Sequence, residues 1–137
     1  MTALLDTSVL VRHFTGAPPE QAERATSFLR AATPGDLLLV DLVAAELVFV
    51  LQSVYRQPRA TVAQLLRALL ALPAVRCEHV RPLHPTTELY EGGSHFADAY
   101  LIATAEAENI RAIISFDRDI RRVPSGTEHR TVGRISH

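Results

Sequence analysis

No lysine occurs among the 137 residues; all fourteen basic side chains are arginine. That absence excludes a P-loop, whose lysine must reach the phosphates, and the stretch ATPGDLLL supplies none. Phospho-receiver domains also rely on a lysine and are excluded with it. A haloacid-dehalogenase-like phosphatase would show a second Asp two residues after Asp6, where this chain has Ser8. Cysteine is nearly absent too: Cys77 stands alone, so no internal disulfide forms and a reducing cytoplasm is the expected location. The N-terminus lacks a basic region followed by a long apolar run, so no signal peptide is expected. Uninterrupted apolar runs are short. The one stretch that could mimic a membrane span, Leu37 to Tyr55, is interrupted by Asp41 and Glu46. An acid at the centre of a membrane span costs about 2.5–3.5 kcal/mol, so a strand leading into a buried helix is expected there and no membrane association. A net charge of −1 gives no whole-molecule field that would announce a nucleic-acid partner.

What is present is a hydrophobic fraction of 47% against 21% charged residues, the balance of a folded domain. The length suits one domain over residues 1–137. Apolar segments alternate between strand and helix patterns. ALLD, Ala3 to Asp6, reads as a first strand and Thr7 to Phe14 as a short helix. APPEQAERATSFLRAAT opens on prolines, carries acids early and Arg30 late, as a helix should. After Gly35, LLLV reads as a second strand, and Leu42 to Tyr55 as an apolar helix that Asp41 is placed to cap. Thr61 to Leu72 carries Val62, Leu65, Leu66, Leu69 and Leu70 at helical spacing. AVRCEHV alternates as a third strand; His84 to Glu91 is a short helix closed by Gly92 and Gly93. Ser94 is placed to cap HFADAYLIATAEA, AIIS is a fourth strand, FDRDI a turn of helix, and HRTVG a short last strand. The alternation predicts a doubly wound α/β fold with a mainly parallel sheet, whose ligands lie beyond the carboxyl ends of the strands.

Four acids draw the eye toward that edge. Glu46 has Leu42, Val43, Phe49 and Val50 three and four residues away and no basic residue within a turn. It cannot close a capping box with Asp41, because that device needs Glu at position 44, which is Ala. A carboxylate on so apolar a face is costly unless something positive meets it; reach into solvent or a distant Arg is the plainer alternative. Asp98 stands between Ala97 and Ala99 at the start of an apolar helix, where the helix dipole alone would suit it. Asp6 and Asp117 each follow an apolar strand, and each is also placed to cap a helix. Carboxylates gathered at one edge would raise one another's pKa unless a hard divalent cation offset them, and Mg²⁺ or Mn²⁺ prefers oxygen ligands.

The segments LLDTSVLVRHF, LVAAELVFVL, HFADAYLIATA and IISFDRDIRRVP, in that order, resemble the four acidic motifs of PIN-domain ribonucleases. They are similar in particular to the VapC-type toxins of bacterial toxin–antitoxin pairs. The likeness runs from about Leu4 to Pro124. It implies a three-layer α/β/α fold with a central, mainly parallel sheet. It also implies a metal site of Asp6, Glu46, Asp98 and Asp117 holding Mg²⁺ or Mn²⁺, with Ser115 two residues before the last acid. Substrate contacts from Thr7, Ser8 and Arg118 follow from the same motifs. The implied activity is metal-dependent endoribonuclease cleavage, leaving 5′-phosphate and 3′-hydroxyl ends. The implied partners are an RNA substrate, a cognate antitoxin protein and a second copy in a homodimer. With lysine absent, the grip on RNA falls to arginines such as Arg12, Arg118, Arg121 and Arg122. The charge of −1 conceals a positive remainder once the four acids are set aside.

Two other readings stay open beside this one: a PIN-fold binding or scaffold protein without activity of its own, and a structure-specific DNA nuclease. A zinc site finds no His-x-x-x-His or Cys-x-x-Cys spacing among the six histidines and Cys77. A serine hydrolase finds no Gly-x-Ser-x-Gly elbow around Ser8. His95, a turn before Asp98, reads as an ordinary helix-start residue or as a contact to phosphate. The Leu65–Leu70 stripe reads as core or as a dimer surface.

Overall fold

Asp6 decides where the first helix begins. Ala3–Leu4 form strand β1, and Asp6 then holds an extended backbone (φ −92°, ψ 148°) as the N-cap of α1, Thr7–Thr15. Its side chain accepts the amide of Ser8, one of the donors a helix start leaves open. Gly16 ends α1 at φ 71°, a left-handed conformation that glycine adopts without the steric penalty of a Cβ.

The structure is a computed structural model and describes residues 2–79, 82–115 and 128–131. The chain divides into two compact units, Met1–Val80 and Arg81–His137. In the first, β1 and α1 are followed by α2 (Pro19–Ala31), β2 (Leu37–Leu39), α3 (Asp41–Ser53), α4 (Arg59–Leu70) and β3 (Val75–Cys77). The strands form a parallel sheet in the order β1-β2-β3, with Leu4 beside Leu38 and Leu39 beside Cys77. Each crossover spends two helices, as parallel neighbours require long connections. Leu37 and Leu39 are buried on the sheet, and Leu10, Leu29, Leu47, Leu51, Val62, Leu66 and Leu69 are buried on the helices.

The second unit comprises α5 (Leu83–Glu91), α6 (Phe96–Ala107), β4 (Ala112–Ser115) and β5 (Glu128–Thr131). Strands β4 and β5 pair in parallel, with Ser115 beside Thr131. Ile102, Ala105 and Ile113 form a buried cluster closed by Leu89, and Tyr90 meets Phe96 edge-on with ring centroids 6.1 Å apart. Thr86 and Thr87 are buried without cost because their hydroxyls donate to the carbonyls of Pro82 and Leu83 at 2.5 and 2.7 Å.

The α/β class and the parallel pairing match the sequence expectation; every strand pair among the described residues is parallel. Two caps differ. Helix α3 takes Val40 as its N-cap because that residue is still extended, so Asp41 is the first helical residue and does not cap. Helix α6 likewise takes His95, not Ser94. The expected helical turn FDRDI lies outside the described residues.

Candidate active site

At the carboxyl edge of β1, Asp6 receives two hydrogen bonds on one oxygen. The Ser8 amide donates to Oδ2 at 3.2 Å, and the Ser8 hydroxyl donates to the same atom. The hydroxyl bond is the largest reason that the Asp6 carboxyl sits below its ordinary pKa; the Ser8 amide and the Arg12 guanidinium add to it. Asp6 is therefore an exposed carboxylate with a lowered pKa, and an ionised carboxylate is the form that can bind a hard cation. Thr7 beside it is buried, 6% exposed, and its hydroxyl has no hydrogen-bond partner among the described residues. Ser8 is exposed.

Glu46 corrects the burial argument made from its neighbours. It lies on the solvent side of α3, together with Leu42 (77% exposed) and Phe49 (64% exposed), while Ala44, Leu47, Val48 and Leu51 turn inward. Of the four apolar neighbours, Leu42 and Phe49 are exposed and Val43 and Val50 half-buried, so Glu46 reaches water. Helices α1 and α3, which follow Asp6 and carry Glu46, pack against each other.

In the second unit, Asp98 is half-buried in the first turn of α6, where the helix dipole favours an acid. Ser115 is half-buried at the carboxyl end of β4, and α6 packs on β4. Asp117 and Arg118 lie outside the described residues, as do Arg121 and Arg122. Asp6 and Glu46 in the first unit and Asp98 in the second each offer carboxylate oxygens that water reaches at least in part, the donor type that Mg²⁺ and Mn²⁺ prefer.

A second group was not legible from spacing. Asp41, Glu78 and His79 bring three potential ligand atoms within 4.8 Å of one another. His79 Nδ1 lies 2.7 Å from Asp41 Oδ2 and 3.8 Å from Glu78 Oε1, and the Asp41 amide donates to Glu78 Oε1 at 3.2 Å. The register explains the meeting. Leu39 and Cys77 are partners on adjacent parallel strands, so Asp41 and His79, each two residues further on, emerge side by side. Burial, and then the Asp41 charge, push the Cys77 thiol pKa up.

The Leu65–Leu70 stripe belongs to the core, with Leu66 and Leu69 buried and Leu65 and Leu70 half-buried. No helix among the described residues is long and apolar enough to cross a membrane.

No curated protein matches the chain. The PIN domain family matches residues 3–126, a span that includes all four motif acids and reaches across both units. PIN domains are generally metal-dependent nucleases. A match over that much of the sequence settles membership: this chain belongs to the PIN domain family.

Proposed function

We propose that the chain is a metal-dependent endoribonuclease with Asp6, Glu46, Asp98 and Asp117 as its ligands for Mg²⁺ or Mn²⁺. The observation that carries this reading is Asp6: an exposed carboxylate, its pKa lowered by Ser8, at the carboxyl edge of a parallel sheet in a chain of the PIN family. The divalent cation, when bound, lowers the pKa of the attacking water and offsets charge on the leaving oxygen. Ser8 donates its amide and its hydroxyl to Asp6 Oδ2, which orients the carboxylate and lowers its pKa. Glu46 supplies a solvated carboxylate, and Asp98 one that its helix dipole favours as the anion. Phosphodiester hydrolysis of RNA leaves a 5′-phosphate and a 3′-hydroxyl.

The same reading makes the chain the toxin of a type II toxin–antitoxin pair, acting in the cytoplasm as a homodimer. Its support is the likeness of the four motifs to VapC-type toxins, together with the exposed Leu42, Phe49, Val54 and Tyr55, apolar surface of the kind a protein partner covers. An arginine of the antitoxin would bind the acidic site bidentately and displace the cation.

Purified chain incubated with single-stranded RNA, single-stranded DNA and branched DNA tests the reading. Cleavage of RNA that EDTA stops and Mn²⁺ or Mg²⁺ restores is the expected result. Preference for branched DNA, or no cleavage of any substrate by folded protein, overturns it. Sedimentation as a monomer, or harmless expression of the wild-type chain, removes the toxin assignment alone.

A further inference from the structure

An open groove of about 490 Å³ runs between α1 and α2 of the first unit. Arg12 lines it from α1, Arg24 and Phe28 line it from α2, and Ser8, which holds Asp6, lines it too. No carboxylate is among its lining residues. The two arginines are not equivalent. Arg12 is already positioned, its Nε donating to Gln21 Oε1 and its Nη1 donating to the Ser8 carbonyl at 3.1 Å. Neither bond uses Nη2, so a phosphate meets a guanidinium whose side-chain freedom is largely spent before binding. Arg24 is exposed, and Phe28, one turn further along α2, leaves 53% of its surface in water.

A single exposed Phe means little on its own. An aromatic face beside two guanidinium groups in an acid-free groove is a different matter, because single-stranded nucleic acid is held by cations on its phosphates and by rings under its bases. We propose that the α1–α2 groove is a subsite for single-stranded RNA, with Arg12 and Arg24 on the phosphates and Phe28 stacked on a base. Ser8 lines the groove and also bonds Asp6, which places one end of the groove next to that carboxylate. The proposal rests on the nuclease reading of Asp6, from which it takes RNA as the occupant; Arg12 and Arg24, with no carboxylate among the lining residues, favour a polyanion over a basic protein segment.

Binding is measured on the wild-type chain in EDTA, where cleavage is off, by fluorescence anisotropy with a short labelled single-stranded RNA over a salt series. Arg24→Gln and Phe28→Ala are both surface changes, and circular dichroism confirms that each folds. Each is expected to weaken binding about tenfold, a stacked base being worth that much or more. Arg24→Gln also lowers the slope of log affinity against log salt by roughly 0.7, one phosphate contact on a single strand. Phe28→Tyr, which keeps the ring, retains wild-type affinity. Unchanged affinity and slope in the folded Arg24→Gln and Phe28→Ala variants overturn the proposal. So does intact RNA binding in variants that instead lose a co-purifying protein, since the groove is then that partner's. The nuclease reading fails separately, by absence of metal-dependent cleavage in the wild-type chain.

Discussion

Ser8 donates both its amide and its hydroxyl to one oxygen of Asp6. A residue two positions along the chain thereby helps set the start of α1 and lowers the pKa of a proposed metal ligand. The cap and the ligand are one carboxylate, because a helix that begins at the carboxyl end of a parallel strand places its N-cap where ligands bind.

Ser8→Ala removes the bond that contributes most to lowering the Asp6 pKa. The expected outcome is an Asp6 pKa that rises toward 3.8, the ordinary value, visible in the carboxyl carbon shift on acid titration. The titration is read on the metal-free chain, and an Asp6 pKa that does not move in Ser8→Ala assigns the lowering to other groups.

Asp6→Asn and Asp98→Asn are each expected to reduce cleavage by at least a hundredfold while the fold survives. Asn is as good an N-cap as Asp, so α1 keeps its start in Asp6→Asn. Activity and melting temperature are read on the same preparations. Normal cleavage by either variant defeats the ligand assignment, and a lost fold is recognised by its melting curve.

Glu46→Gln separates function from stability most cleanly. The residue is exposed, so unfolding free energy is expected to change by no more than about 0.5 kcal/mol. Cleavage and Mn²⁺ affinity by titration calorimetry are both expected to fall more than tenfold. A titration indistinguishable from wild type leaves Glu46 as a plain surface residue.

His13 gives the fold an acid sensitivity. It is half-buried on α1, with Nδ1 2.8 Å from Thr26 Oγ1, and burial, followed by the Arg30 charge, lowers its pKa below 6.5. The unfolded chain therefore takes up a proton before the folded one does. The stability that neutral His13 contributes is complete above about pH 6.5 and is lost as pH falls toward the lowered folded value. Melting temperature should drop between pH 7 and pH 5 in the wild type, and less steeply in His13→Gln. Parallel pH dependences of the two proteins would assign the drop to other groups.

Local chemistry alone determined a good part of this protein. Prolines at the head of α2, a glycine after α1 and the alternation of apolar runs mark where elements begin and end, because caps and breakers act within a few residues. Asp6 and Asp98 could be placed at a strand end and a helix start for the same reason. Tertiary structure decided which face of α3 is buried: its apolar residues encircle the helix, so no periodicity distinguished the inward Leu47 and Leu51 from the exposed Leu42 and Phe49. It also decided the pairing of Asp41 with His79, which are 38 residues apart. Only the parallel register of β2 and β3 brings them together, and register depends on how two strands distant in sequence bury their leucines, which no short stretch of either can specify.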